Sequence, residues 1–208
     1  MASLLSIHPE NPQKRLINQA AELLRNGGVI VYPTDTAYGF GCTLGNRRGV
    51  ERIIQIRHLS ANHLFSILCP DLAEIARYAR VDNTTYRLLK RHLPGPYTFV
   101  LEATRDVPKN ILPKRKTIGL RIPSHPICQA LLQEVGEPLL SATVRLPNAA
   151  DALSDPEEIH KRLGTLVDLV IDGGILTTSP STVVDLTGDQ PVVLRAGTGD
   201  PSVFVDAR

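Results

Sequence analysis

Apolar and polar positions change several times along the chain between helical and strand-like spacing. The helical spacing predicts helices over residues 13–26, 50–57, 71–78, 82–92, 126–135 and 154–163. Short apolar runs rich in β-branched residues predict strands over residues 29–32, 64–69, 97–103, 117–122, 138–143, 167–172, 182–186 and 192–195. Helices and strands therefore alternate along most of the sequence.

Polar residues at the predicted helix starts support these boundaries. Asp71 and Asp82 stand where an N-cap side chain is needed. The run Ser154-Asp155-Pro156-Glu157 matches a capping box with proline inside the first turn. We predict an α/β fold: one domain over residues 1–208, with its core at about residues 14–200 and helices flanking an open, twisted, mixed sheet.

Polar side chains that could bind a ligand are most concentrated just after the first predicted strand. Pro33 ends that strand because it has no N–H for a sheet ladder, and two threonines, an aspartate and a tyrosine follow before Gly39 and Gly41. Such a loop at a strand end suits a ligand, and the glycines let backbone approach it. The other interpretation is a polar loop whose glycines serve turn geometry, and the segment alone leaves both open.

The composition is that of an ordinary globular protein. The chain has 208 residues, of which 42% are hydrophobic, and no apolar run approaches the length of a membrane span. The N-terminus lacks a basic-then-apolar signal pattern. Three widely spaced cysteines argue against a disulfide framework and a zinc ribbon. We expect a cytoplasmic protein with reduced thiols, no metal site and no membrane partner.

Charge is unevenly distributed along the chain although the net charge is only +2. Residues 77–121 contain eleven Lys and Arg against three acidic residues, whereas residues 134–190 contain ten Asp and Glu against three basic ones. The densest basic group comprises Lys109, Lys114, Arg115 and Lys116. Phosphate, on a nucleotide or on RNA, is one natural partner for this patch, and a solvated loop without a ligand is the other interpretation.

Five short segments follow a common style, in which a strand leads into small polar residues and often an arginine. They are Tyr32-Pro33-Thr34-Asp35-Thr36, Lys116-Thr117-Ile118-Gly119-Leu120-Arg121, Leu139-Leu140-Ser141-Ala142-Thr143, Ser179-Pro180-Ser181-Thr182-Val183 and Val192-Val193-Leu194-Arg195-Ala196-Gly197. In this order, with His92-Leu93-Pro94-Gly95-Pro96-Tyr97-Thr98 between them, they resemble the YrdC/YciO family from about residue 16 to about residue 199. The N-terminal Ile7-His8-Pro9-Glu10-Asn11-Pro12 is most similar to its YciO branch.

This resemblance implies a fold and an activity. The fold is an open twisted sheet with a positively charged concave face. The activity is that of the threonylcarbamoyl-AMP synthases of tRNA modification: L-threonine and bicarbonate form a carbamate, which attacks the α-phosphorus of ATP and releases pyrophosphate. ATP, with Mg²⁺, is then a substrate, and no tightly bound cofactor is expected. Such a reaction needs positioning and positive charge rather than a covalent catalyst, so no catalytic residue is assigned.

The resemblance also implies contacts for each substrate. For threonine these are Thr34, Arg121, Ser141 and Ser181. For ATP they are Arg57, Thr117, Thr143 and Arg195. Arg121 suits a carboxylate because its planar fork can bond both oxygens. Each has a structural alternative: the hydroxyls can cap or cross-pair within strands, and an arginine can be part of an ion pair.

Two departures from the synthase pattern concern the nucleotide side. Arg57 takes the position of a lysine, but Leu59 replaces the arginine that follows it, and His63 stands where a later polar residue would be. After the strand at Leu140, Arg145 replaces an asparagine. Weak or altered synthase activity is one reading of these changes. The other is a protein that binds tRNA or double-stranded RNA without synthase activity.

The strand ends give a geometric test of the assignment. We expect six residues far apart in sequence to converge on one cleft: Thr34, Thr117, Arg121, Ser141, Ser181 and Arg195. Lys114, Arg115 and Lys116 would add a basic patch for RNA or phosphate.

Overall fold

A computed structural model of the chain describes residues 1–60, 63, 65–112 and 116–204. Its described residues form one mixed sheet of ten strands in the order β1-β8-β2-β3-β7-β4-β6-β5-β9-β10. The strands are β1 Ser3–Ser6, β2 Ile30–Tyr32, β3 Gly39–Thr43, β4 Ser66–Leu68, β5 Tyr97–Glu102, β6 Thr117–Arg121, β7 Leu139–Thr143, β8 Leu169–Asp172, β9 Thr182–Asp185 and β10 Val192–Arg195. Parallel and antiparallel pairs both occur, as in β2–β8 and β2–β3.

Helices flank this sheet on both faces. They are α1 Lys14–Arg25, α2 Arg47–Arg57, α3 Leu72–Tyr78, α4 Asn83–His92, α5 Pro126–Val135 and α6 Pro156–Leu163. A short 3₁₀ turn follows at Ser202–Phe204. The predicted single-domain α/β fold with a mixed sheet is therefore confirmed.

The core is divided between the two faces of the sheet. A smaller cluster joins α1 and α5 to Ile30, Leu68 and Leu139, whereas a larger cluster on the other face includes Val31, Ile67 and Leu140. Neighbouring residues of one strand fall into different clusters because side chains alternate between faces. Among the described helices, α1 and α5 contribute to the smaller cluster, and they cover only part of that face of the sheet.

Two strands were not predicted. β1 pairs with β8, so the sheet extends outside the predicted core of residues 14–200. β3 contains Gly39 and Gly41, which the sequence suggested for a ligand loop or a turn. Gly41 serves packing instead, because a Cβ there would lie 2.5 Å from the ring of Tyr32 in the neighbouring strand. Glycine-rich runs score poorly as strands, although close packing of this kind requires them.

Helix capping is mostly as predicted. The Asp71 and Asp82 side chains accept hydrogen bonds from the backbone N–H groups of Glu74 and Thr85. The last helix differs: Asp155, not Ser154, is its N-cap and accepts from Glu157 N–H. Either residue type can cap, and the chain places Pro156 at the first helical position directly after the aspartate.

Two further sequence expectations can be compared with the structure. Cys42, Cys69 and Cys128 are buried free thiols, and burial raises the pKa of Cys42 to about 12. Among the helices of the described residues, none combines the length and apolar character that a membrane crossing requires.

Candidate functional site

A cavity of about 470 Å³ opens on the sheet face that α1 and α5 cover only in part. Leu68 and Leu139 lie under the helices, and two residues further along the same strands Ser66 and Ser141 point to the same side. Thr98 of β5 and Arg121 of β6 also line the cavity. The same face of the sheet is therefore apolar where the helices cover it and polar where it forms the floor of the cavity.

Hydroxyl groups on this floor are held by hydrogen bonds. The Oγ atoms of Thr98 and Ser181 are 2.7 Å apart, and both residues are buried. Tyr32 Oη donates to Ser141 Oγ at 2.9 Å from a fully buried ring, and burial raises the pKa of Tyr32 well above its ordinary value. Neutral hydroxyls in fixed positions can orient a polar ligand.

Arg121 is the centre of a buried polar network at one end of the cavity. Its Nη2 donates to Asp35 Oδ1 at 2.5 Å and its Nη1 to Thr36 Oγ1 at 3.0 Å. Thr36 Oγ1 in turn lies 3.1 Å from Thr34 Oγ1, and Ser124 Oγ donates to the other Asp35 oxygen at 3.0 Å. The carboxylate that the Arg121 fork meets here is therefore the protein's own.

Arg57 and Arg145 form another wall of the cavity. Arg57 is the last residue of α2, is buried, and donates from Nη1 to the backbone carbonyl of Arg145. Its Nε has no hydrogen-bond partner among the described residues. This hydrogen bond ties the helix end to the loop that follows β7 and holds both side chains at the cavity.

Arg195 reaches the cavity from the edge strand β10. The pairing of β10 with β9 is irregular between Val193 and Arg195, where a bulge changes which side chains face the sheet surface. The Arg195 guanidinium donates to the Ser181 carbonyl from Nη2 at 2.8 Å and from Nε at 3.3 Å. The Ser181 carbonyl is neutral, so Arg195 is hydrogen-bonded but has no counter-ion among the described residues.

The cavity as a whole carries excess positive charge. Of its four arginines, only Arg121 forms a salt bridge within the described part of the chain. Burial and the neighbouring Arg145 lower the pKa of Arg57 and of Arg195, and Arg121 contributes to the lowering at Arg195. Among the described residues, Asp151 is the acidic residue that lines the cavity. Mutual repulsion of this kind is relieved when an anion binds.

Most of the residues predicted for the site do meet in this cavity. Those that line it are Arg57, Arg121, Ser141, Thr143, Ser181 and Arg195. Thr34 joins them through its contact with Thr36 and donates to the carbonyl of Ala37 at 2.6 Å. It is buried and is turned into the loop that follows β2.

Thr117 and Lys116 lie elsewhere. Thr117 begins β6, four residues before Arg121 and therefore about 13 Å away along the strand. It lines a separate surface depression with Arg80 and Glu102. Lys116 is exposed beside it, so the part of the predicted basic patch that can be placed is not at the cavity. The predicted patch residues Lys114 and Arg115 lie outside the described residues.

Several lining residues were not among the predicted contacts. Ser66 and Thr98 belong to short strands whose facing side chains need the sheet order to identify. Asp35 and Thr36, which bind the Arg121 side chain rather than line the cavity, stand in the most polar run of the sequence, and that run was the available signal for them. His63 also lines the cavity, and Leu59 packs half-buried against the larger apolar cluster. Within the described residues, no group of three or more His, Cys, Asp or Glu side chains could hold a metal ion.

The fold and the cavity together define a mixed α/β protein with an arginine-rich cavity whose floor carries hydroxyl groups. The Sua5/YciO/YrdC family model, described as "Telomere recombination", matches residues 22–197. The YciO protein of Escherichia coli K12, whose name calls it uncharacterised, is 52% identical over 206 residues, 99% of this chain and 100% of that protein. The chain belongs to the Sua5/YciO/YrdC family.

A more distant relative and two solved structures are also similar to this chain. The threonylcarbamoyl-AMP synthase of Vibrio vulnificus YJ016 is 27% identical over 185 residues, 87% of this chain and 98% of the synthase. The crystal structure of E. coli YciO matches with a TM-score of 0.95 at 53% identity, over 98% of this chain and 100% of that one. P. abyssi Sua5 complexed with L-threonine matches with a TM-score of 0.88 at 26% identity, over 94% of this chain and 58% of that one.

Proposed function

We propose that the cavity binds ATP, L-threonine and bicarbonate and forms threonylcarbamoyl-AMP, for threonylcarbamoyladenosine modification of tRNA. The observation that carries this proposal is the division of the cavity's arginines. Arg57, Arg145 and Arg195 face it without a salt bridge to a described residue, whereas Arg121 is fixed by Asp35 beside hydroxyl groups. Similarity to proteins named as synthases, and to one solved with L-threonine, supports this choice of ligands.

The Arg121 network suits the amino acid. One N–H of each terminal nitrogen is used by Thr36 and Asp35, which leaves one N–H on each for a threonine carboxylate. Ser141 and Ser181 offer hydroxyls for the remaining polar groups. Because the fork is held before the ligand arrives, little side-chain entropy is lost on binding.

The three arginines without salt bridges suit the phosphates. The threonine nitrogen bonds to the carbon of bicarbonate with loss of water, and an oxygen of this carbamate then attacks the α-phosphorus. The bond from that phosphorus to the pyrophosphate oxygen breaks, and negative charge increases on the leaving group. Arg57, Arg145 and Arg195 stabilise that charge in place. The protein contributes position and electrostatics, and no covalent intermediate is needed.

The proposal is tested by pyrophosphate release from ATP. Release should require both threonine and bicarbonate, and Arg145→Ala should lower kcat/KM about ten- to a hundredfold, because a charged hydrogen bond is worth about 1.5–3 kcal/mol. The control is Arg47→Ala, which removes an exposed cation from α2 outside the cavity and should leave the rate unchanged. If no pyrophosphate is released with threonine or with any other proteinogenic amino acid tested in turn, the proposal is refuted.

RNA binding is supported by sequence alone. Of Lys114, Arg115 and Lys116, the described residue is Lys116, which lies next to the end of β6 that is far from the cavity. If the protein binds tRNA or double-stranded RNA, affinity should fall steeply with salt and should not respond to threonine.

A further inference from the structure

His63 is a titratable side chain that lines the cavity near Arg57 and Arg145. It is half-buried and lines the same cavity as Arg57 and Arg145, which come from the end of α2 and from the loop after β7. Its ring packs edge-on against Phe65, with the ring centroids 5.1 Å apart. The imidazole is therefore held at the cavity wall by an apolar contact that does not depend on its protonation.

We infer that anion binding in this cavity is coupled to protonation of His63. The imidazole is neutral while the cavity holds no anion and becomes a further cation when one binds. An anionic ligand of the phosphate or sulfate class thus meets four arginines and a histidinium, whereas the protein without an anion avoids the repulsion of five cations. This inference concerns anion binding alone and does not depend on the proposed reaction.

Electrostatics gives the direction of the coupling. Burial, Arg57 and Arg145 all lower the pKa of His63 below its ordinary value of about 6.5. The other charges that line the cavity are Arg121 and Arg195, which act in the same sense, and Asp151, which opposes them. Asp35 is already paired with Arg121. A dianion bound between Arg57 and Arg145 adds two negative charges close to the ring and favours the imidazolium.

Linkage then fixes the pH dependence of affinity. Above the pKa of His63 in the complex, neither state is protonated and affinity does not change with pH. Between that pKa and the lower pKa of the free protein, binding takes up a proton, so affinity rises as pH falls, by at most about tenfold per pH unit. Below both values affinity becomes constant again.

Sulfate is the probe of choice because its own charge stays fixed between pH 5.5 and pH 8. Calorimetric titration at constant ionic strength should give a Kd for sulfate at least about fivefold lower at pH 5.5 than at pH 7.5. His63→Asn should bind sulfate with little dependence on pH. His58→Asn is the matched control, because His58 is an exposed residue at φ 50° that asparagine tolerates, and it should keep the parent's pH dependence.

Nuclear magnetic resonance provides a second readout. The imidazole signals of His63 should titrate with a higher pKa in saturating sulfate than in its absence. A Kd that varies less than twofold with pH, pH dependence that survives in His63→Asn, or no sulfate binding at all would each overturn the inference. Threonine-dependent pyrophosphate release could persist in any of these cases, so the proposed function is judged separately.

Discussion

The two ends of the cavity differ in whether their arginines are paired with a carboxylate. At one end Arg121 is paired with Asp35, and both side chains are almost fully buried, at 7% and 12% exposed. At the other end Arg57 and Arg145 have no salt bridge among the described residues, and burial together with the charge of Arg145 lowers the pKa of Arg57. The first arrangement builds rigid structure, and the second stores repulsion that a ligand can relieve. Substitutions at the Arg121–Asp35 end should therefore mainly lower stability, whereas substitutions at the Arg57–Arg145 end should mainly lower anion affinity.

Removing Asp35 should give the largest effect on stability. Asp35→Ala leaves a buried guanidinium without its counter-ion, and the free energy of unfolding should fall by about 3–5 kcal/mol. Urea denaturation measures this. Glu51→Ala, which removes the partner of exposed Arg47, should cost less than about 1 kcal/mol. A loss below about 1 kcal/mol for Asp35→Ala would mean that the pair is not the structural anchor described here.

Arg121→Lys should affect both properties. Lysine can keep the ion pair with Asp35 but cannot also bond Thr36 in the fork geometry, so stability should fall by about 1 kcal/mol. Threonine affinity should fall by about 1–3 kcal/mol because the bidentate contact is lost. The effect on stability comes from the network through Thr36, which the structure shows. Calorimetry with threonine and a melting curve separate the two effects, and unaltered threonine affinity would contradict the assignment.

Arg145→Ala should have the smallest effect on stability. Its side chain is exposed at the cavity and opposes Arg57 and Arg195, so unfolding free energy should stay within about 0.5 kcal/mol of the parent or rise slightly. Its affinity for sulfate should nevertheless fall at least about tenfold. A clear loss of stability without loss of anion affinity would show that the loop after β7 needs Arg145 for folding.

The sequence predicted helices and strands better than it predicted contacts between residues far apart in the chain. Periodicity and proline placed α5 at the residues observed, and Pro33 correctly marked the end of β2. β3 was missed because its glycines fit against Tyr32, a contact that depends on tertiary packing. Local pattern cannot show that kind of contact.

The candidate site shows the same limit. Arg121 was assigned to a carboxylate because its planar fork can bond both oxygens, and the carboxylate that it meets in the structure, that of Asp35, lies 86 residues away in the chain. Thr117 was expected at the cleft with Arg121 because both lie at strand ends, but they are at opposite ends of β6, and a strand extends about 3.3 Å per residue. Strand order and direction, which a single sequence does not reveal, decide which strand ends meet.

The most direct test of the two-ended cavity is a crystal structure of the protein with L-threonine and a non-hydrolysable ATP analogue. The account predicts the threonine carboxylate on the terminal nitrogens of Arg121, with the Asp35 pair intact. It predicts the phosphates between Arg57, Arg145 and Arg195. Phosphates bound at Arg121, or threonine bound away from the Arg121–Asp35 pair, would contradict the division of labour proposed for the two ends.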